Sequence, residues 1–185
     1  MFETLKNAWK IKEVRVKLLI TLALLFLFRL GAFIPIAGIN IEAFEVLTDS
    51  SGGISFLGIM DAVVGGSLSN GTIFALGIGP YINASIIMQL LTVAFPALER
   101  LQKEGGEEGR KKIAQYTRIF AIVLAAVQGI GILLSYENLI DTALIDHNAG
   151  WKWLLYVAIV LQFAAGTALC MWIGERITEY GVGNG

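Results

Sequence analysis

Few side chains in this sequence could perform chemistry, and none has a partner at a useful spacing. His147 stands beside Asp146 in a polar stretch, the setting of a solvated loop histidine. Cys170 is the single cysteine and lies inside an apolar run, which excludes an internal disulfide framework and a multi-cysteine metal site. Asp61 has no second carboxylate in an apolar run, no H-E-x-x-H occurs, and no Ser–Lys or Ser–His pair occupies facing positions. The loop 103–112, KEGGEEGRKK, lacks the G-x-x-x-x-G-K-[ST] order needed to cradle phosphate, and its carboxylates would repel one. It reads as a flexible loop, solvated or touching a charged partner. No enzyme activity, cofactor or metal is implied. Arg29 is the one basic residue well inside an apolar run; it either faces a cavity or snorkels to the outer headgroups.

The elements that hold these residues are apolar. Of 185 residues 56% are apolar and only 16% charged, against about a quarter in a soluble domain. A helix crossing about 30 Å of hydrocarbon needs roughly 20 mostly apolar residues. Residues 18–36, 72–98, 119–136 and 153–173 meet that need, and none shows the polar stripe of a surface helix. Four membrane spans are expected. The first apolar run exceeds the h-region of a signal peptide and no A-x-A-like site follows, so it reads as a retained helix.

Charge orients the spans. Lys6, Lys10, Lys12, Arg15 and Lys17 precede the first, and Arg100, Lys103, Arg110, Lys111, Lys112 and Arg118 fill the loop between the second and third. The other two loops are acidic, with Glu42, Glu45 and Asp49 in one and Glu137, Asp141 and Asp146 in the other. The basic side is cytoplasmic, so both ends of the chain are expected there. Phe2, Leu5, Trp9 and Val16 among the first lysines suit an amphipathic helix on anionic headgroups or, equally, a frayed basic tail. The expected segmentation is a cytoplasmic N-terminus (1–17), a span (18–36), an external loop (37–53), a short helix (54–70) and a span (72–98). A cytoplasmic loop (99–118), a span (119–136), an external loop (137–152), a span (153–173) and a cytoplasmic end (174–185) follow.

Regularity breaks between residues 51 and 98. A short apolar stretch, 54–64, is too short to cross and runs into GGSLSNG at 65–71. Backbone released at such a break survives at membrane depth only inside protein or a watery cavity, so the stretch reads as a cavity-housed helix or as an external loop with an apolar patch. In the following run Pro80 crowds the carbonyl of Leu76, and a kink is expected there. Gly77, Gly79 and Ala84 would let another helix approach closely. One face carries Ile78, Ile82, Ser85 and Gln89, an apolar pair followed by polar groups. That face suits a constriction beside a wetter region, or Ser and Gln simply bond to a neighbouring helix.

Several stretches resemble the SecY family: 28–39 (FRLGAFIPIAGI), 65–69 (GGSLS), 73–82 (IFALGIGPYI) through 89–92 (QLLT), 103–105 (KEG), 109–118 (GRKKIAQYTR) and 172–185 (WIGERITEYGVGNG). The resemblance runs along the whole chain in order, while the loops 40–53 and 137–150 carry little of it. It implies an all-α integral membrane fold of four transmembrane helices plus a short re-entrant, plug-like helix, the first half of an inverted-repeat channel. It further implies a plug built from Ile54, Phe56, Leu57, Ile59, Met60, Val63, Val64, Gly65 and Gly66, and a pore ring including Ile78 and Ile82. A lateral gate would include Asn83, Ile86, Gln89, Leu90 and Gln128. The implied setting is the bacterial plasma (inner) membrane, with unfolded secretory chains as cargo. The implied partners are SecE, SecG, the motor ATPase SecA, the ribosome with its nascent chain, signal sequences, membrane lipid and the C-terminal half of the channel subunit. The family continues into a fifth span and a second half, so this segment alone is expected not to translocate protein. Half of a secondary solute transporter is the main rival and would need a convergent polar midplane site, for which Arg29, Asn83, Ser85 and Gln89 offer material. An intramembrane hydrolase would need the missing nucleophile–base pair.

Overall fold

The computed structural model describes residues 11–42, 56–135 and 152–183. Among them six α-helices follow in order: α1 Lys12–Gly31, α2 Phe56–Val64, α3 Gly79–Ala94, α4 Pro96–Lys103, α5 Gly106–Ser135 and α6 Lys152–Tyr180. Phe2, Leu5 and Trp9, the greater part of both external loops with His147, and Ile54 lie outside the described residues.

The scaffold is the pair α5–α6, 30 and 29 residues long and, by length and composition, able to cross a membrane. Every fourth residue of α5 from Thr117 is buried: Thr117, Ala121, Ala125, Gly129 and Leu133. The small residues on this ridge let α6 approach, and its Ile159 and Phe163 are both fully buried. A Cβ at Gly129 would stand 3.2 Å from the Phe163 ring. Beyond the apolar stretch Arg118 Nε donates to Glu175 Oε1 at 2.6 Å and ties the two helices where both become polar.

The helices differ in their bounds from the expected first and second spans. The first was placed at 18–36; α1 begins at Lys12, absorbing part of the basic stretch, and ends at Gly31. Residue 34 precedes Pro35, which disfavours helical backbone at that position. The chain then pairs elsewhere. Ile36 N–H donates to the Gly71 carbonyl at 2.9 Å and Ile73 N–H to the Ile34 carbonyl at 3.1 Å, around an isolated antiparallel bridge between Pro35 and Thr72.

The second span, placed at 72–98, is a helix only over α3. Residues 73–78 form consecutive turns, with Gly71 and Gly77 at φ of +56° and +54°. Phe74, Ala75, Leu76 and Gly77 are buried, and a Cβ at Gly166 of α6 would fall on the Ile73 carbonyl. Pro80 therefore kinks nothing: it lies in the first turn of α3, where a missing N–H costs no helical bond. At the other end Phe95, before Pro96, is extended, and α4 leaves α3 at 101°. Sixteen residues give α3 about 24 Å, less than the hydrocarbon thickness. By length and composition α5 and α6 qualify as spans, and the bent α3–α4 pair makes a third. α1 keeps Lys12, Glu13, Arg15, Lys17 and Arg29.

Candidate functional site

An apolar cavity of about 350 Å³ opens where α2, the turn before α3, α1 and α6 meet. Ile59, Val63 and Val64 of α2 form one wall, and Ile78 and Ile82 another. Leu25 and Phe28 of α1, and Cys170, Ile173 and Ile177 of α6, add to the lining. The sequence-predicted short helix and apolar pair, fourteen residues or more apart along the chain, are thus brought to one space.

Local rules place each wall. Ile78 is the N-cap of α3 and Ile82 lies one turn on, its N–H donating to the Ile78 carbonyl at 3.1 Å. The two side chains consequently share one helix face and remain 37% and 49% exposed. The opposite face, Pro80, Ala84, Met88 and Thr92, is buried. Ala84 sits at the expected close approach; Gly79 does not, since a Cβ there would meet nothing within 4 Å. Gly77 is a true contact: its added Cβ would lie 3.2 Å from both methyls of Val64, so the end of α2 packs on that glycine.

The linker after α2 satisfies itself. Asp61 Oδ1 accepts from Leu68 N–H at 2.9 Å and Ser69 N–H at 3.0 Å. Ser67 Oγ donates to the Val64 carbonyl, Ser69 Oγ and Asn70 Nδ2 to the Gly66 carbonyl, and Thr72 Oγ1 to the Ser67 carbonyl. Ser67, Leu68 and Thr72 are buried, at 0%, 6% and 1% exposure, while Gly65 and Asn70 remain exposed. Arg29, for its part, donates from Nη1 to the Gly65 carbonyl at 2.9 Å and stacks 5.2 Å over Phe33.

Asp61, isolated by sequence, is therefore a cap, and a lone acid shortly before a Gly-Gly-Ser turn was its signal. Gln162 of α6 carried no signal at all. It clamps the loop after α1, accepting from Ala37 N–H at 3.0 Å.

The expected gate residues Asn83, Ile86, Gln89 and Leu90 are exposed on α3, continuing the face of Ile78 and Ile82; Gln128 is half-buried on α5. Gln89 Nε2 donates to Ser85 Oγ within the same helix at 3.4 Å, so this pair is not spent on a neighbouring helix. Phe56, Leu57 and Met60 lie on α2, and Gly65 and Gly66 follow it with φ of +70° and +82°.

Comparison with known proteins agrees with this geometry. The protein translocase subunit SecY of Staphylococcus carnosus is 45% identical over all of this chain and 42% of its own length. That of Aquifex aeolicus is 44% identical over all of this chain and 43% of its own. The chain thus spans about two-fifths of the length of the curated relatives it matches. Two solved structures share the fold at 21% identity, covering 92% of this chain and 34% of theirs: Sec61 in the canine ribosome–channel complex from the endoplasmic reticulum, TM-score 0.58, and a protein conducting channel, TM-score 0.57. A sequence model of the SecY family matches residues 72–185, which hold the turn, α3 and the α5–α6 scaffold described above. This chain is a membrane protein that belongs to the SecY family.

Proposed function

We propose that this chain is the N-terminal half of a protein-translocation channel, passing unfolded secretory polypeptides across the plasma membrane and membrane helices sideways into lipid. The observation that carries this is the single cavity at which α2 meets Ile78 and Ile82. In the resting channel α2 is the plug, with Ile59, Val63 and Val64 against the ring. The remaining plug positions are Ile54, Phe56, Leu57, Met60, Gly65 and Gly66. Aliphatic ring side chains offer a translocating chain no fixed hydrogen bonds that would hold it, and a constriction of this kind dewets and limits ion leak. Four spans, α1, α3 with its preceding turns, α5 and α6, make this half of the barrel, with the N-terminus cytoplasmic by the distribution of Lys and Arg.

The exposed stripe of α3, with Asn83, Ile86, Gln89 and Leu90, and Gln128 of α5 are our lateral-gate residues. A face apolar enough for lipid yet studded with amides suits an opening that admits signal sequences of varied side chains. SecE, SecG and the second half of the subunit would enclose the pore, and the ribosome or SecA would supply the driving force. The second reading, a solute transporter, would need Arg29, Asn83, Ser85 and Gln89 to converge on one site, and Arg29 instead bonds the Gly65 carbonyl beyond α2.

The test is crosslinking. In a full-length SecY-family protein carrying this segment, Ile78→Cys and Ile82→Cys are expected to crosslink to a secretory chain stalled in transit. Absence of adducts at both positions, with adducts at a control position elsewhere on the stalled chain's route, would remove the channel reading.

A further inference from the structure

Two polar side chains hold the end of α2, and they hold it to different things. Asp61 caps Leu68 and Ser69, seven and eight residues away, so it binds α2 to its own linker. Arg29 reaches across 36 residues from the last turn of α1 to the Gly65 carbonyl. Gly65 and Gly66 turn the chain at positive φ, while Gly66 N–H donates back to the Asp61 carbonyl at 2.9 Å. The guanidinium so stands at the C-terminal end of α2, where the helix dipole is negative and the last carbonyls lack helical partners. The rest of the seat of α2 around the cavity, Ile59, Val63 and Val64, is apolar and non-directional. If α2 leaves α1 with its capped linker intact, the Arg29 bond must break.

We infer that Arg29 is a positioning residue of the channel: it latches α2 beside Ile78 and Ile82 and sets how readily a substrate displaces it. The inference rests on the reading of α2 as the resting seal. A guanidinium bonded to a carbonyl is stronger than a neutral pair, and α2 cannot leave its seat beside α1 without breaking that bond. The latch therefore resists spontaneous opening and gives way when an arriving chain displaces α2. Losing one such bond shifts a closed-to-open ratio roughly tenfold.

The test uses a full-length SecY-family protein carrying this segment, assembled with its partner subunits, with Cys170→Ser to remove the thiol that also lines the cavity. Cysteines introduced by Val63→Cys and Ile82→Cys report the seated position through a short thiol crosslinker, and resting ion conductance is measured alongside. Arg29→Gln is expected to raise the resting conductance and the unlinked fraction about tenfold. Arg29→Lys, which keeps the charge but not the planar fork, is expected to raise both about threefold. If Arg29→Gln does not assemble, the Arg29→Lys shift decides. Crosslinking and conductance unchanged in the Arg29 variants, with efficient crosslinking in the parent, overturns the latch and leaves the seal. No crosslinking in the parent removes the seal itself, and the latch with it.

Discussion

At the scale of single residues, the protein spends its polar groups on holding irregular backbone inside apolar surroundings. Asp61 is the plainest case: one carboxylate oxygen receives two backbone N–H groups that lipid could not satisfy. Asp61→Ala leaves both without that acceptor, at a cost of about 1–3 kcal/mol. Amide exchange at Leu68 and Ser69 in nanodiscs is expected to speed up correspondingly, while exchange within α5 stays unchanged. Gly166 acts by what it lacks, since the Ile73 carbonyl occupies the place of a Cβ. Gly166→Ala forces the turn before α3 away from α6, and overpacking of this kind costs about 1–3 kcal/mol. A lower midpoint of thermal aggregation in detergent is the expected sign. The partners in these two contacts were not legible in the sequence. A glycine inside an apolar run signals a close approach but not to what, and a lone aspartate signals a cap without naming the donors.

At the scale of elements, the apolar runs were legible and the helix ends within them were not. α5 and α6 extend the predicted third and fourth spans without interruption, because nothing in those runs breaks a helix and each buries a continuous face against the other. The first two runs contain prolines, and there the helix yields to pairing between residues 34–36 and 71–73. Hydropathy is blind to that exchange, since turn and helix there are equally apolar. The location of Pro80 in the first turn of α3 leads to a specific outcome. Pro80→Ala is expected to change stability by less than about 1 kcal/mol, against about 3 kcal/mol for a proline inside a helix. A large gain in thermal stability would restore the interior kink. The ion pair between Arg118, exposed, and Glu175, half-buried, joins α5 to α6 within reach of solvent, so Glu175→Gln is expected to cost no more than about 1 kcal/mol. A double-mutant cycle with Arg118→Gln measures it.

At the scale of the whole molecule, the cavity and the open face of α3 give the segment its meaning. In a full-length protein carrying it, replacing Ile78 and Ile82 together by glycine is expected to raise ion leak and to relax exclusion of defective signal sequences. Unchanged conductance in planar bilayers would end their assignment to the ring. The segment alone, reconstituted in vesicles, is expected to show no SecA-dependent import, because it spans only about two-fifths of the length of the relatives it matches. What the sequence by itself determined is the apolar character of each long stretch and the family, since long motifs such as GRKKIAQYTR persist in order. What only the tertiary structure decided is where helices stop, which groups Asp61, Arg29 and Gln162 hold, and that α2 shares a cavity with Ile78 and Ile82. The physical reason is that composition records whether a residue is surrounded by water or by apolar atoms. Inside the apolar phase every backbone group must still find a partner, and that partner is chosen by the chain's path through space.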